Sequence, residues 1–165
     1  MPGLAGNARF RDAAGRVILT RWTEMMSYRE GTLLGEDIEE LHAMRVSSRR
    51  LRAAMDAFEG AFPAKSFPRY LKQVKEITDV LGDARDLDVA IARLSGLLSD
   101  LRADERIGIE GLISRYRHER SLEDPRIAAL FKRIDEAGFE RRLVDYVAKH
   151  TGVLLAKLKP RPPEA

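Results

Sequence analysis

The chain has 165 residues and a mass of 18.6 kDa, which suits one domain with a substantial hydrophobic core. It has no cysteine, so disulfides and thiolate metal sites are excluded, and no apolar run is long enough for a signal peptide or a bilayer span. We therefore expect a cytoplasmic protein. The net charge of +3 is unevenly distributed: residues 42–75 carry eight lysines and arginines against two acidic residues, a local net charge of +6.

Helical periodicity runs through the chain, and strand patterns are nearly absent. Gly82 is interpreted as the left-handed end of one helix, with Asp83 capping the next, and Pro125 as a helix start behind Asp124. We expect an all-α fold: one antiparallel helical bundle in a single domain over 1–158, then a disordered proline-rich tail over 159–165. The predicted helices cover approximately residues 9–33, 36–60, 68–81, 105–122, 125–136 and 139–157. A further helix follows Asp83, with apolar positions at Leu87, Ile91, Leu94, Leu97 and Leu98, and the apolar stripe of the helix over 68–81 is Leu71, Val74, Ile77 and Leu81.

The most informative segment is HAMRVSSRRLR, residues 42–52. On a helix, one histidine and three arginines of this segment fall within an arc of roughly 80°, whereas its apolar residues point to another side. The three arginines repel one another unless an anion or buried carboxylates neutralise them. Both an anion site and a solvated face paired with acids elsewhere therefore remain open. This basic stripe consists of His42, Arg45, Arg49 and Arg52, and the apolar set of Met44, Leu51, Met55 and Phe58.

Other polar groups give no sign of a catalytic or metal centre. The aspartates of GDARDLDV, residues 82–89, do not have the spacing of a calcium loop, and the three histidines are far apart. Ser47 and Ser48 have no recognisable general base and are interpreted as small packing residues. Arg85 could bind either an anion or an acidic side chain. We expect no enzyme activity, no metal and no cofactor.

Two motifs carry a resemblance to a known family. The string LHAMRVSSRRLRAAMDAF, followed some twenty residues later by LGDARDLDV, resembles the CHAD family, the conserved-histidine α-helical domain. The stretch SLEDPRIAALFKRI is similar to the later helices of that family. The resemblance implies a non-catalytic domain that binds inorganic polyphosphate, in which basic side chains line a channel between two four-helix bundles. One such bundle, with additional helices, is expected here.

The candidate polyphosphate-binding residues follow from these motifs. Arginine forks bind phosphoryl oxygens in a bidentate manner, and lysine adds a mobile point charge. Lys72 and Lys75 are placed by helical phase and charge rather than by a motif. The residues carried over from the motifs are His42, Arg45, Arg49, Arg50, Arg52 and Arg85.

The chain departs from the family pattern after its first half. The second basic helix of the family, L-H-x-x-R-x-x-x-K-x-x-R-Y, is missing, so we expect the resemblance to cover mainly the first half. Either the chain is a short variant of the family or a second copy supplies the missing half, and we expect a twofold homodimer that rebuilds the channel. The E-x-E-x-K pattern of triphosphate-hydrolysing relatives is also missing, which disfavours an enzyme. The alternatives are a nucleic-acid-binding bundle, which would need exposed aromatic rings, and a helical adaptor for an acidic protein. Nucleic acid is the less favoured partner, and polyphosphate granules are one place where the protein could reside.

Overall fold

The computed structural model describes residues 3–158, and within this range the chain folds into helices with no strand. The all-α prediction is confirmed, and the helices form a bundle in which α1 packs on α3 and α6, α3 on α4, and α4 on α5. The predicted proline-rich tail lies outside the described residues. The helices are α1 (Gly3–Ser27), α2 (Arg29–Leu34), α3 (Ile38–Ala57), α4 (Phe67–Leu97), α5 (Ala103–Glu136) and α6 (Phe139–Thr151).

Several helix ends follow local chemistry. The side chain of Asp37 caps α3 by accepting a hydrogen bond of 2.9 Å from the Glu39 amide, close to the predicted start. The predicted helix over 9–33 is instead two helices, α1 and α2, separated at Tyr28. At the other end of the chain, Gly152 takes a left-handed conformation with φ of 75° and ends α6, so the predicted continuation to residue 157 is wrong.

Two predicted helix boundaries are wrong, because α4 continues through Gly82 and α5 continues through Pro125. Asp83 does not cap a helix but accepts a hydrogen bond of 2.8 Å from Arg126. Likewise, Asp124 accepts a hydrogen bond from Arg120, one turn earlier in the same helix. Buried side chains on both sides of Gly82 hold α4 continuous, so tertiary packing outweighs the local preference for a break there. At Pro125 the buried core begins only on the C-terminal side, at Ile127, and the position is flanked by the ion pairs of Arg120 and Arg126 with α4.

The core confirms much of the apolar pattern. Met44, Leu51 and Met55 of α3 are fully buried, as are the two serines predicted to pack between helices. Phe58 is only half-buried and contacts the ring of Phe10. The stripe predicted on α4 is buried throughout: Leu71, Val74, Ile77 and Leu81.

The core does not extend along the whole of α4 and α5. It includes Ala84 and Ile127 but no residue between them, although the two helices have 31 and 34 residues against 20 in α3. Residues 85–126 therefore form a helical hairpin, called here the arm, which extends beyond the main core. Its predicted apolar positions, such as Leu94 and Leu97, are not buried.

Three ion pairs join α4 to α5 in antiparallel register. Glu76 pairs with Arg133 at 2.6 Å, and two further pairs, Asp83–Arg126 and Asp88–Arg120, each have a distance of 2.8 Å. Asp88 is only 7% exposed. Burial raises the pKa of its carboxyl above the usual value, although the positive charges of Arg120 and Arg85 oppose this shift.

Arg120→Met should therefore destabilise the protein by about 3 kcal/mol, because it leaves the buried Asp88 carboxylate without its partner. Asp88→Asn should cost less than about 1 kcal/mol, because the neutral amide needs no counter-charge and Arg120 still pairs with Asp124. Urea unfolding of both variants measures the difference. Equal losses would contradict this interpretation of the pair.

The pH dependence of the same variants has a defined sign. Because the pKa of Asp88 is raised in the folded state, the folded protein binds a proton there more tightly than the unfolded chain does. Protonation at this residue therefore favours folding as the pH falls. In Arg120→Met the pKa of Asp88 should rise further, so the stability deficit relative to the original sequence should shrink as the pH is lowered from neutral. A deficit that is independent of pH would contradict the assignment.

Candidate anion-binding face

Arg45 lies across the contact between α3 and α4. Its Nη1 atom donates a hydrogen bond of 3.3 Å to the carbonyl oxygen of Thr78. The half-buried guanidinium lies against Gly82, where a Cβ atom would come within 3.0 Å of Nη1 and 3.1 Å of Cζ. The missing side chain of Gly82 therefore leaves room for the guanidinium at this position and does not serve to end a helix.

A second group of charges lies further along the same pair of helices. Arg52 of α3 is 3.9 Å from both Asp56 and Asp79, and Lys75 of α4 is 3.9 Å from Asp56. All four side chains are partly or largely exposed. Such long, solvated ion pairs contribute little stability, so these cations can exchange an acidic partner for another anion at small cost.

Arg49 and Lys72 are exposed, and neither makes a hydrogen bond or an ion pair within the described part of the chain. Arg49 lies between Arg45 and Arg52 on the basic stripe. Lys72 borders an open groove of about 770 Å³ between α4 and α5, which Lys75, Lys132 and Arg133 also line. Lys72 adds positive charge beside the stripe, whereas Arg133 is paired with Glu76, which lines the same groove together with Asp79 and Glu136.

His42 and Arg85 lie towards the other end of the α3–α4 contact. The register, with Arg45 opposite Gly82 and Asp56 opposite Lys75, brings His42 level with Arg85. Both side chains are half-buried. Among the described residues the Nδ1 atom of His42 is buried and has no hydrogen-bond partner, which leaves Nε2 as the nitrogen that could reach a ligand.

Arg50 is not brought to this face. Its guanidinium is 3.3 Å from Glu24 of α1, whose carboxylate also pairs with Arg21 at 2.5 Å. Seven of the eight predicted residues thus lie on α3 and α4, while Arg50 points to α1; of the seven, Arg85 is placed by the register at the level of His42, and its charge also acts on Asp88. We call the seven the cationic face: His42, Arg45, Arg49, Arg52, Lys72, Lys75 and Arg85.

Three of the four aromatic residues that flank the basic segment offer no stacking surface, and the fourth, Phe58, is half-buried against Phe10. Phe62, Phe67 and Tyr70 are all buried. The rings of Phe62 and Phe67 stack with centroids 4.6 Å apart, and Tyr70 stacks on Tyr146 at 4.3 Å. These rings are occupied with one another in the core, so they are not placed to stack on nucleic-acid bases.

Sequence reasoning missed two features of this region. Gly82 supports Arg45, but a glycine followed by an aspartate carries the local signature of a helix end, and only the packed structure distinguishes the two. Lys132 and Arg133 of α5 border the groove beside Lys72 and Lys75, although they are some sixty residues away in the chain. The basic run KR at residues 132–133 was a visible signal, but its place depends on the register of α5.

Over residues 3–158, no cluster of histidine, aspartate and glutamate side chains is arranged to hold a metal ion. None of the helices over the same residues combines the length and apolar character needed to span a membrane.

The fold and this face define an all-helical domain with an extended row of cations. The family model for the CHAD domain matches residues 16–163, and the chain belongs to the CHAD domain family. The match takes in nearly the whole chain, which corrects the expectation that the resemblance covers mainly the first half. CHAD domains are helical domains known to bind polyphosphate, and they generally bind rather than catalyse. No curated protein and no solved structure matches this chain.

Proposed function

We propose that this chain is a non-catalytic module that binds inorganic polyphosphate along its cationic face. The observation that carries the proposal is that most cations of this face lack a close acidic partner. Arg49 and Lys72 have no acidic partner among the described residues, and Arg52 and Lys75 are held only by contacts of 3.9 Å. Acidic side chains therefore leave most of the positive charge on this face available to an anion.

The arrangement suits a repeating anion better than a single phosphate. Successive arginines of α3 lie about one helical turn apart, roughly 5.4 Å along the axis, so an extended ligand can contact each in turn. Arg45 supplies a donor held in place by its contacts with Gly82 and Thr78, whereas Arg49 and Lys72 are exposed and adjustable. Binding of this kind requires no cofactor, because charge and hydrogen bonds supply the affinity.

The first experiment is a calorimetric titration with long-chain polyphosphate at physiological salt, repeated with excess duplex DNA. We expect binding that weakens steeply with salt and that DNA does not displace, because Phe62, Phe67 and Tyr70 are buried and Phe58 is half-buried against Phe10, which leaves little surface for base stacking. Displacement by DNA would favour the nucleic-acid alternative. Equal affinity for heparin would favour a generic polyanion surface, such as that of an adaptor for acidic proteins.

Arg49 and Arg50 offer a matched pair of variants, because they are neighbours of the same chemistry on different faces. Arg49→Gln should weaken polyphosphate binding about tenfold, since it removes a charge-assisted contact, and should reduce the slope of log K against log salt by about 0.7–0.9. Arg50→Gln should change the affinity less than about threefold, because Arg50 faces Glu24. The same titration measures both variants. Equal losses would contradict the placement of the site.

Gly82→Ala tests the support of Arg45. The added Cβ should displace the guanidinium and weaken polyphosphate binding about fivefold. The free energy of unfolding should change little, because the higher helix propensity of alanine, about 1 kcal/mol, offsets much of the steric strain. Gly96→Ala is the control, because Gly96 also lies in α4 but has open space where its Cβ would go. Thermal unfolding and titration together separate the two effects. If Gly82→Ala binds polyphosphate with unchanged affinity, then binding does not depend on the position that Gly82 gives to Arg45.

We further propose that the chain acts as a twofold homodimer. A second copy would supply a second cationic face, in keeping with the two-bundle channel that the family resemblance implies. A single domain over 1–158, a cytoplasmic location and association with polyphosphate granules remain predictions.

A further inference from the structure

The arm carries an apolar stripe that no part of the described chain covers. Between residues 85 and 126 only Asp88 and Ile113 are buried. Leu97 is 49% exposed and Ile107 is 72% exposed, near the tip of the hairpin. An open groove of about 460 Å³ separates α4 from α5 on one side, lined by Val89, Ala90, Leu94, Leu112 and Tyr116 together with Asp86 and Arg93. Two helices alone form one layer and cannot bury such a stripe, so it needs a second layer.

The charges on this stripe are arranged in a way that points to a particular occupant. Asp86 and Arg93 are both exposed, and neither has an ion-pair partner among the residues that the structure describes. They are seven residues apart on one side of α4, about 10.5 Å along the helix axis, which is too far for them to pair with each other. Ala90, a small residue, lies between them and allows a close approach of another helix.

We propose that this stripe is the surface through which two copies of the chain associate, with α4 of one arm packed antiparallel on α4 of the other. A twofold axis near Val89 and Ala90 then places Asp86 beside Arg93 of the partner subunit, and the symmetry forms the same pair a second time. The apolar residues that line the groove cover those of the other copy. One symmetry operation thus pairs both charges and buries the stripe. An unrelated partner would do this only if it carried an acid and a base at the same spacing around an apolar surface.

This inference rests on the proposed homodimer and names its interface, but it does not depend on polyphosphate binding. The test is sedimentation equilibrium of the full chain without polyphosphate. The original sequence should be a dimer at micromolar concentration. Arg93→Glu and Asp86→Arg each replace two attractive pairs with two repulsive ones, so each should raise the dimer dissociation constant about tenfold or more. The double variant Asp86→Arg/Arg93→Glu restores opposite charges and should return the constant to within about threefold of the original.

Arg117→Glu is the control, because Arg117 is exposed on the same arm but does not line the groove. It makes the same change of charge and should leave the dimer intact. Far-UV circular dichroism of every variant checks that the helices are retained.

The possible outcomes separate the proposals. A monomeric original sequence would overturn both the homodimer and this interface, while the polyphosphate titration would still test the cationic face. A dimer that no single variant weakens would overturn the arm interface alone. Weakening without recovery in the double variant would overturn the pairing of Asp86 with Arg93 of the partner subunit. Recovery supports the proposal.

Discussion

The contact between Arg45 and Gly82 is the constraint on which the arrangement of the cationic face depends. A half-buried guanidinium between two helices needs space and a hydrogen-bond acceptor, and Gly82 and the carbonyl oxygen of Thr78 provide these. Buried side chains of α3 and α4 set the register of the two helices, and the contact holds Arg45 at one place within it. In that register the apolar residues of both helices enter one core, and Arg49 is left exposed.

Acidic side chains of α4 form close ion pairs towards α5 but only long ones towards α3. This difference explains why the basic segment keeps its positive charge. Towards α5, the carboxylates of Glu76, Asp83 and Asp88 pair with arginines of that helix at 2.6–2.8 Å. Those acids are therefore engaged and do not neutralise the stripe on α3. Within residues 3–158, only Asp56 and Asp79 come within ion-pair distance of the stripe, each at 3.9 Å from Arg52. The sequence left open whether the basic segment is an anion site or a face paired with acids. Arg50 is paired with Glu24 at 3.3 Å, whereas Arg52 makes only contacts of 3.9 Å.

Periodicity was sufficient to predict what depends on one helix alone. The spacing of Leu71, Val74 and Ile77 identified the buried side of α4, because a helix of 3.6 residues per turn leaves little choice. Gly82 was misread because its local preference for a break is weaker than the packing on either side of it, and Pro125 because contacts with α4 flank a helix that one sequence cannot place. Interhelical ion pairs such as that of Asp88 depend on the register of segments thirty or more residues apart, which a single sequence does not reveal.

The cationic face and the proposed dimer stripe adjoin on the long helix α4, because Arg85 of the face is next to Asp86 of the stripe, but they diverge towards Lys72 and Lys75. Lys75 of the cationic face and Asp86 of the proposed dimer stripe are eleven residues apart, about 16 Å along the axis. Association through the arm would therefore leave Lys72 and Lys75 accessible, and one assembly would present two cationic faces. A long polyphosphate chain could reach both faces and gain from the high effective concentration of the second, whereas a short chain could not. Selectivity for chain length would then arise from the geometry of the dimer rather than from any additional contact to the ligand.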